Sequence, residues 1–229
     1  MRDEAGEKTL ESMGQAQWYN QWTLSKFKQY LKGDILEVGC GIGNFTKSLE
    51  SFGKVWAIDI NKEYIEEINK SSNKKAEVGI GDIEKGKYFF KEQKFDSIVC
   101  LNVMEHIKDD KAALNNLYSL LKKGGYLVLL VPAHQFLFGE IDKSIGHFRR
   151  YNKNQLFNIV SNIGFKIIQI KTLNMLGAIG WWLAARVLSN NKVDTKKIKL
   201  FNLVAPLILP LENIIEPPFG TSILLICQK

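Results

Sequence analysis

The sequence predicts an α/β protein built on a doubly wound, mostly parallel sheet of seven strands. Two observations predict this fold class. Short apolar runs alternate with helical patterns from residue 34 onward, and the first apolar run stops abruptly in a glycine-rich turn. Strands and helices that alternate in this way form a parallel sheet covered by helices on both faces. Such sheets bind ligands at the carboxyl ends of their strands, so we expect functional residues to follow strands.

Each predicted strand is a short apolar run, and each predicted helix has helical spacing or a helix stop signal. The run from Phe95 to Leu101 is almost wholly apolar, as expected for a strand covered on both faces. The helix from Asp109 to Leu121 ends at a Lys-Lys-Gly-Gly stop signal. The predicted strands are 34–38, 54–60, 76–80, 95–101, 126–131, 165–171 and 221–228, and the predicted helices of the core are 45–52, 61–70, 109–121 and 152–162.

Three regions are predicted along the chain. Residues 1–33 form an N-terminal helical cap, residues 34–172 and 219–229 form the core, and residues 173–218 form an apolar helical insertion before the last strand. Aromatic residues of the cap, including Trp18 and Tyr19, recur at helical spacing just ahead of the glycine-rich turn. They would cover a ligand there or simply pack against the core, and the pattern leaves both roles open.

Composition limits the classes of partner. The chain has 229 residues, is 45% hydrophobic and carries a formal net charge of +7. Solvated lysines explain most of this charge, and without an arginine-rich arm or a known module we expect no nucleic-acid partner.

The expected location is the cytoplasm. The three cysteines, Cys40, Cys100 and Cys227, lie in or beside apolar runs, which favours reduced, buried thiols. The polar N-terminus predicts neither a secretory signal nor a leading membrane anchor. Peripheral contact with the inner membrane face remains an alternative.

The glycine-rich turn comprises Gly39, Gly41 and Gly43, which follow the first strand. Glycine allows positive φ angles and close approach of a ligand to the backbone. A nicotinamide or flavin site expects GxGxxG, whereas Asn44 stands here at the third glycine position. The pattern therefore favours a nucleotide-like ligand other than a dinucleotide.

Four motifs in order resemble the class I S-adenosylmethionine-dependent methyltransferases, closest to the ubiquinone and menaquinone branch, the methyltransferase type 11 domain. They are EVGCGIGN at residues 37–44, the aspartate Asp59 after the second strand, the pair Asp82–Ile83, and LNVMEHI at residues 101–107. The resemblance implies a Rossmann-like methyltransferase fold and S-adenosylmethionine as cofactor, with S-adenosylhomocysteine as product.

The resemblance also implies site residues. Asp59 matches the acid that accepts from both ribose hydroxyls, and Asp82 with Ile83 matches the pair that holds the adenine. Each aspartate taken alone would be read as a cap or turn residue. The expected cofactor-binding set is Glu37, Gly39, Gly41, Gly43, Asp59, Ile60, Asp82, Ile83, Leu101, Asn102, Glu105, Trp18 and Tyr19.

Methyl transfer from a sulfonium requires that a nucleophile be aligned and, where it carries a proton, deprotonated. No metal is required. The candidate catalytic residues are His106 after the fourth strand, His134 after the fifth, and His147 and Tyr151 in GHFRRY. A lone histidine is often a hydrogen-bonded structural group, so this role stays open for each of them.

GHFRRY also contains Arg149 and Arg150, the candidate substrate-binding residues. Guanidinium groups suit a carboxylate or phosphate on a substrate. The alternative is that one arginine pairs internally with Asp142 or Glu140 while the tyrosine packs.

Residues 173–211 are unusually apolar. Trp181, Trp182 and the basic link Lys192 to Lys199 favour contact with a membrane surface. A lid over an apolar substrate, a homodimer interface and two core helices are the alternatives.

The expected function is methyl transfer from S-adenosylmethionine to a small-molecule or lipid-like acceptor, with oxygen favoured as the methylated atom. The alternatives are a nicotinamide-dependent oxidoreductase and a membrane- or partner-binding protein that keeps the cofactor fold without catalysis.

Overall fold

The computed structural model describes residues 14, 16–70, 75–178 and 203–229. They contain one sheet of eight strands in the order β4-β3-β2-β1-β5-β6-β8-β7. The strands are β1 (Gly33–Val38), β2 (Gly53–Asp59), β3 (Glu77–Asp82), β4 (Lys87–Tyr88), β5 (Phe95–Leu101), β6 (Leu121–Pro132), β7 (Lys166–Leu173) and β8 (Ser222–Gln228).

The sheet is mostly parallel, which confirms the predicted fold class. β1 pairs in parallel with both β2 and β5, so the direction of winding reverses at β1. β8 is antiparallel to β6 and β7, and β4 turns back antiparallel to β3. The predicted count of seven omitted β4, which has only two residues and no periodicity to detect.

Six helices are described within the predicted cap and core. α4 (Asp110–Leu120) begins at the Asp109 cap, whose side chain accepts from the Ala112 N–H, and α6 (Lys153–Ile163) ends at Gly164 with a φ of 110°. The predicted helix 45–52 is reduced to four residues because turns occupy both sides of it. The helices are α1 (Gln17–Ser25), α2 (Thr46–Leu49), α3 (Lys62–Lys70), α4 (Asp110–Leu120), α5 (Glu140–Ser144) and α6 (Lys153–Ile163).

Each face of the sheet buries its own hydrophobic layer. On one face, residues such as Leu36 and Ile98 pack with Leu117 of α4 and Val160 of α6. The opposite face, which includes Val128, packs against α1 and the segment 205–209. Burial of both faces explains why the central strands read as continuous apolar runs.

The insertion is described only at its two ends. Residues 175–178 and 203–208 are helical, and a 3₁₀ turn spans Leu209–Asn213. Trp181, Trp182 and the link Lys192 to Lys199 lie outside the described residues. In the described part of the chain, no helix is long and apolar enough to cross a membrane.

Candidate functional site

The glycine turn lies at the carboxyl end of β1, where the winding of the sheet reverses. Gly39, Gly41 and Gly43 have φ angles of 73°, 53° and 88°, a region that L side chains rarely adopt. A Cβ on Gly39 would lie 2.2 Å from Cγ2 of Val103. The sequence therefore needs glycine here both for the backbone angle and for the close approach of the segment after β5.

Glu37 lies beneath this turn and is buried. Its Oε2 accepts a hydrogen bond of 2.6 Å from the Thr46 hydroxyl at the start of α2. Burial raises the pKa of Glu37 to about 8, although the Thr46 hydroxyl opposes the shift. Glu37 thus ties β1 to α2. Sequence reasoning missed Thr46, whose one signal is a hydroxyl residue at the start of the helix after the glycines.

Asp59 ends β2 beside the same turn. Its Oδ2 accepts from the Gly41 N–H at 2.9 Å, and its Oδ1 accepts from the Asn61 N–H at 2.8 Å. Burial raises the pKa of Asp59, while these backbone N–H groups act in the opposite direction. The next residue, Ile60, is 73% exposed. The carboxylate therefore shapes the turn, and each of its oxygens keeps a lone pair for another donor.

Asp82 and Ile83 lie at the end of β3, two strands from β1. Asp82 accepts hydrogen bonds from the backbone and side chain of Lys85, the latter at 2.8 Å. Burial opposes the effect, but the Lys85 bonds hold the pKa of Asp82 below its ordinary value. Ile83 is buried, and its carbonyl accepts from Asn116.

These elements fit S-adenosylmethionine. Glycine at three alternate positions leaves the backbone of the turn open to close approach by a ligand. Asp59 and Asp82 end two strands that lie side by side in the parallel part of the sheet. Asp59 would hold the ribose, Asp82 and Ile83 the adenine, and the glycine turn the remaining part of the cofactor. The bound cofactor would supply a methyl group already activated on a sulfonium.

The last residue of β5 and the segment after it bring three further predicted residues to this edge. Leu101 is half-buried, and Asn102 has a φ of 53° with its N–H donating to the Leu130 carbonyl. Glu105 is 1% exposed, and its Oε2 has no hydrogen-bond partner among the described residues. Burial raises the pKa of Glu105 to about 8. His106, the next residue, is exposed.

His147 and Arg150 share one buried carboxylate. Oδ1 of Asp142 lies 2.9 Å from Nδ1 of His147 and accepts from Nε of Arg150 at 2.8 Å. Burial opposes the effect, but these two partners hold the pKa of Asp142 below its ordinary range. Arg150 also donates to the Ala133 carbonyl. The sequence left two roles open for the arginines, an anion-binding patch and an internal ion pair. The position of Arg150 fits the internal ion pair with Asp142.

Arg149 and Tyr151 meet on a second carboxylate. Arg149 pairs with Asp110 at 3.0 Å and donates to the Lys108 carbonyl. The Tyr151 hydroxyl donates within 3.2 Å to Asp110 and to the Met104 carbonyl, and burial is the first cause that raises its pKa. Tyr151 is 1% exposed, which fits a packing role better than proton transfer.

His134 follows β6 and differs from the other two histidines. Its φ is 64°, and its Nε2 is buried with no hydrogen-bond partner in the described part of the chain. Burial, Arg150 and Lys153 lower its pKa, in that order. His134 lines a cavity of about 390 Å³ with six other residues: Asn152, Lys153, Asn154, Thr172, Pro218 and Ile223.

The predicted cap residues pack against the sheet. The Tyr19 hydroxyl accepts from Asn174 Nδ2 at 3.4 Å, and Trp18 stacks on Trp22 at 6.5 Å between ring centroids. A Cβ on Gly14 would lie 2.9 Å from Oδ1 of Asn44, so the chain before α1 contacts the glycine turn. For Trp18 and Tyr19 the geometry fits core packing better than a cover over the ligand.

Comparison with known proteins agrees with this geometry. A model described as a methyltransferase domain matches residues 15–170. An uncharacterised protein of Methanocaldococcus jannaschii is 27% identical over 183 residues, covering 78% of this chain and 77% of that protein. A malonyl-[acyl-carrier protein] O-methyltransferase of Ilyobacter polytropus is 27% identical over 71% of this chain, and the match spans 65% of that enzyme.

Solved structures show the same fold. The crystal structure of a S-adenosylmethionine-dependent methyltransferase from Archaeoglobus fulgidus superimposes with a TM-score of 0.63, covering 93% of this chain and 94% of that one at 19% identity. The family model spans well over half of the chain and includes the glycine turn, Asp59, Asp82 and the segment after β5. The chain therefore belongs to the methyltransferase domain family and is a class I S-adenosylmethionine-dependent methyltransferase.

Proposed function

We propose that this enzyme methylates a hydroxyl oxygen of a small or lipid-like acceptor, with His134 as the proton acceptor. The proposal rests on two observations about His134. The residue lines the cavity of about 390 Å³, and its buried Nε2 has no hydrogen-bond partner among the described residues. An unpartnered buried nitrogen is costly unless another molecule supplies its partner.

The electrostatics of His134 suit a base. Burial together with the positive charges of Arg150 and Lys153 lowers its pKa, so the imidazole is neutral at pH 7. A neutral imidazole has one nitrogen with a free lone pair, which can accept the proton of a hydroxyl. A carboxylate acceptor would need no base, so the proposal applies to hydroxyl acceptors.

An oxygen acceptor also agrees with the Ilyobacter polytropus relative, whose name assigns it an O-methyltransferase activity. The apolar end of the insertion supports a lipid-like molecule. Five of its aliphatic side chains are between 61% and 83% exposed: Leu203, Leu207, Leu211, Ile214 and Ile215. A concentration of exposed aliphatic groups is typical of a site that contacts lipid or another protein.

Methyl transfer to a hydroxyl can be tested with labelled cofactor. Purified enzyme, methyl-labelled S-adenosylmethionine and lipid or small-molecule extracts should yield a labelled methyl ether. His134→Gln should lower kcat by about 10²- to 10⁴-fold and leave cofactor affinity unchanged. Label on nitrogen or carbon would refute the oxygen acceptor, and full activity of the variant would refute the base.

We also propose peripheral membrane contact through residues 173–211. The exposed leucines of the segment support it, together with the basic link and the two tryptophans predicted to face a membrane. Replacing Trp181 and Trp182 together with alanine should reduce association with anionic liposomes and leave cofactor affinity intact. Unchanged association would favour a lid, a homodimer interface or a core element instead.

A further inference from the structure

Three side chains with metal-binding atoms lie close together, and none of them belongs to β1, β2 or β3, which supply the main proposed cofactor contacts. Glu105 and His106 lie after β5, and His147 belongs to the segment between α5 and α6. One ligand atom from each of them lies within 4.8 Å of the others. The two histidine rings are in edge-to-face contact, 4.6 Å between centroids. Residues about 40 positions apart in the sequence thus present two imidazoles and one carboxylate to a common point.

Asp142 fixes the orientation of His147. With Asp142 bonded to Nδ1, the other ring nitrogen, Nε2, faces Oε1 of Glu105 at 3.8 Å. This distance is too long for a hydrogen bond. In a tetrahedral zinc site with metal–ligand bonds of about 2.0 Å, two ligand atoms lie roughly 3.3 Å apart. The distance between Nε2 of His147 and Oε1 of Glu105 is close to this value. A carboxylate on the far nitrogen is also the usual second partner of a metal-ligating histidine.

Glu105 supplies an independent observation. The side chain is 1% exposed, and its Oε2 has no hydrogen-bond partner among the described residues. A buried carboxylate oxygen without a donor is costly. Oε1 of the same carboxyl group faces Nε2 of His147, so a cation bound between them would balance the negative charge that the two carboxyl oxygens share.

The local charges allow such a cation. The buried guanidinium of Arg150 pairs with Asp142 at 2.8 Å, and Glu105 is the second buried acid of the cluster. The exposed position of His106 leaves the cluster accessible from solvent.

We propose that Glu105, His106 and His147 bind one divalent transition-metal ion of the zinc class. Two imidazoles and one carboxylate suit such ions, and three protein ligands leave a fourth position open to water or another oxygen ligand. The site does not depend on His134 acting as a base. It differs from the expectation from sequence that no metal is required, which followed from the activated methyl group of the sulfonium.

The competing arrangement is purely ionic. A protonated His147 would stand between Asp142 and Glu105, and the cluster would need no metal. One measurement distinguishes the two arrangements. The metal site predicts stoichiometric metal binding that depends on His106, and the ionic arrangement predicts none.

The test uses the full chain after removal of metal by a chelator. Titration with Zn²⁺ followed by calorimetry should show one tight equivalent, and Co²⁺ should give visible absorption bands of a nitrogen- and oxygen-ligated ion. His106→Ala, at an exposed position that should not disturb folding, should weaken binding by at least tenfold, and His147→Ala should do the same. His134→Gln is the matched control, because it removes the remaining histidine and should leave metal affinity unchanged.

Absence of a stoichiometric equivalent in the wild-type chain would overturn the proposal. Equal affinity of wild type and His106→Ala would overturn it as well, since the metal would then be bound elsewhere. Neither result bears on methyl transfer, which is measured separately with labelled cofactor.

Discussion

Replacing Glu37 with glutamine should change how the stability of the apoprotein depends on pH. The carboxyl is buried, bonded to the Thr46 hydroxyl, and has its pKa raised by burial from 4.5 to about 8. Between pH 4.5 and about 8, the folded state therefore keeps a proton on Glu37 that the unfolded chain has released. This contribution to stability is fully present below pH 4.5 and is lost as pH rises through about 8.

The size of the effect follows from the two pKa values. Each pH unit between them is worth about 1.4 kcal/mol, so wild type should lose about 5 kcal/mol of unfolding free energy from this group between pH 4.5 and pH 9. Glutamine has nearly the same shape and does not ionise. The unfolding free energy of Glu37→Gln relative to wild type should therefore rise with pH by about the same amount.

Urea unfolding of both proteins at several pH values, without cofactor, measures this difference. Glu67→Gln is a suitable control because it removes an exposed carboxylate of α3 and should give a nearly constant difference. If the unfolding free energies of wild type and Glu37→Gln ran parallel from pH 5 to pH 9, Glu37 would not be buried and protonated in the folded state.

Two further predictions concern the packing around the site. Gly39→Ala should lower the unfolding free energy by about 1–2 kcal/mol because of the φ of 73° at this position. Overlap of the new Cβ with Val103 should lower it further and weaken cofactor binding. In a double-mutant cycle, adding Val103→Ala should restore the part of the unfolding free energy that the overlap removes. If the effects of the two substitutions were strictly additive, the two residues would not be in contact. Asp142→Asn should lower the unfolding free energy by about 3–5 kcal/mol, because it leaves the buried Arg150 without its carboxylate. A loss below about 1 kcal/mol in urea unfolding would show that this pair is not structural.

The positions of the motifs that we expect to bind the cofactor could be predicted from sequence because local rules determine them. Glycines after an apolar run indicate a turn after a strand, and acids after the next two strands must lie at the same edge of a parallel sheet. The structure has Gly39, Asp59 and Asp82 at these positions.

The partners of GHFRRY could not be predicted, since they depend on burial and on contacts between distant segments. An arginine next to a tyrosine is compatible with an anion site or an internal pair. Arg150 is 5% exposed and bonded to Asp142, whereas Arg149 reaches Asp110 some 39 positions earlier in the numbering. The convergence of Glu105, His106 and His147 is likewise a tertiary contact that no spacing rule indicates.

The most direct test of the cofactor site is calorimetric titration of wild type and Asp59→Ala with S-adenosylmethionine. Asp59 lies at the end of β2 and supports the Gly41 N–H, so its loss should remove the ribose acceptor and loosen the turn. Wild type should bind S-adenosylmethionine tightly, and the variant should bind it more weakly by about 1–3 kcal/mol. Equal affinity of the two proteins, or no binding of S-adenosylmethionine by wild type, would contradict this prediction.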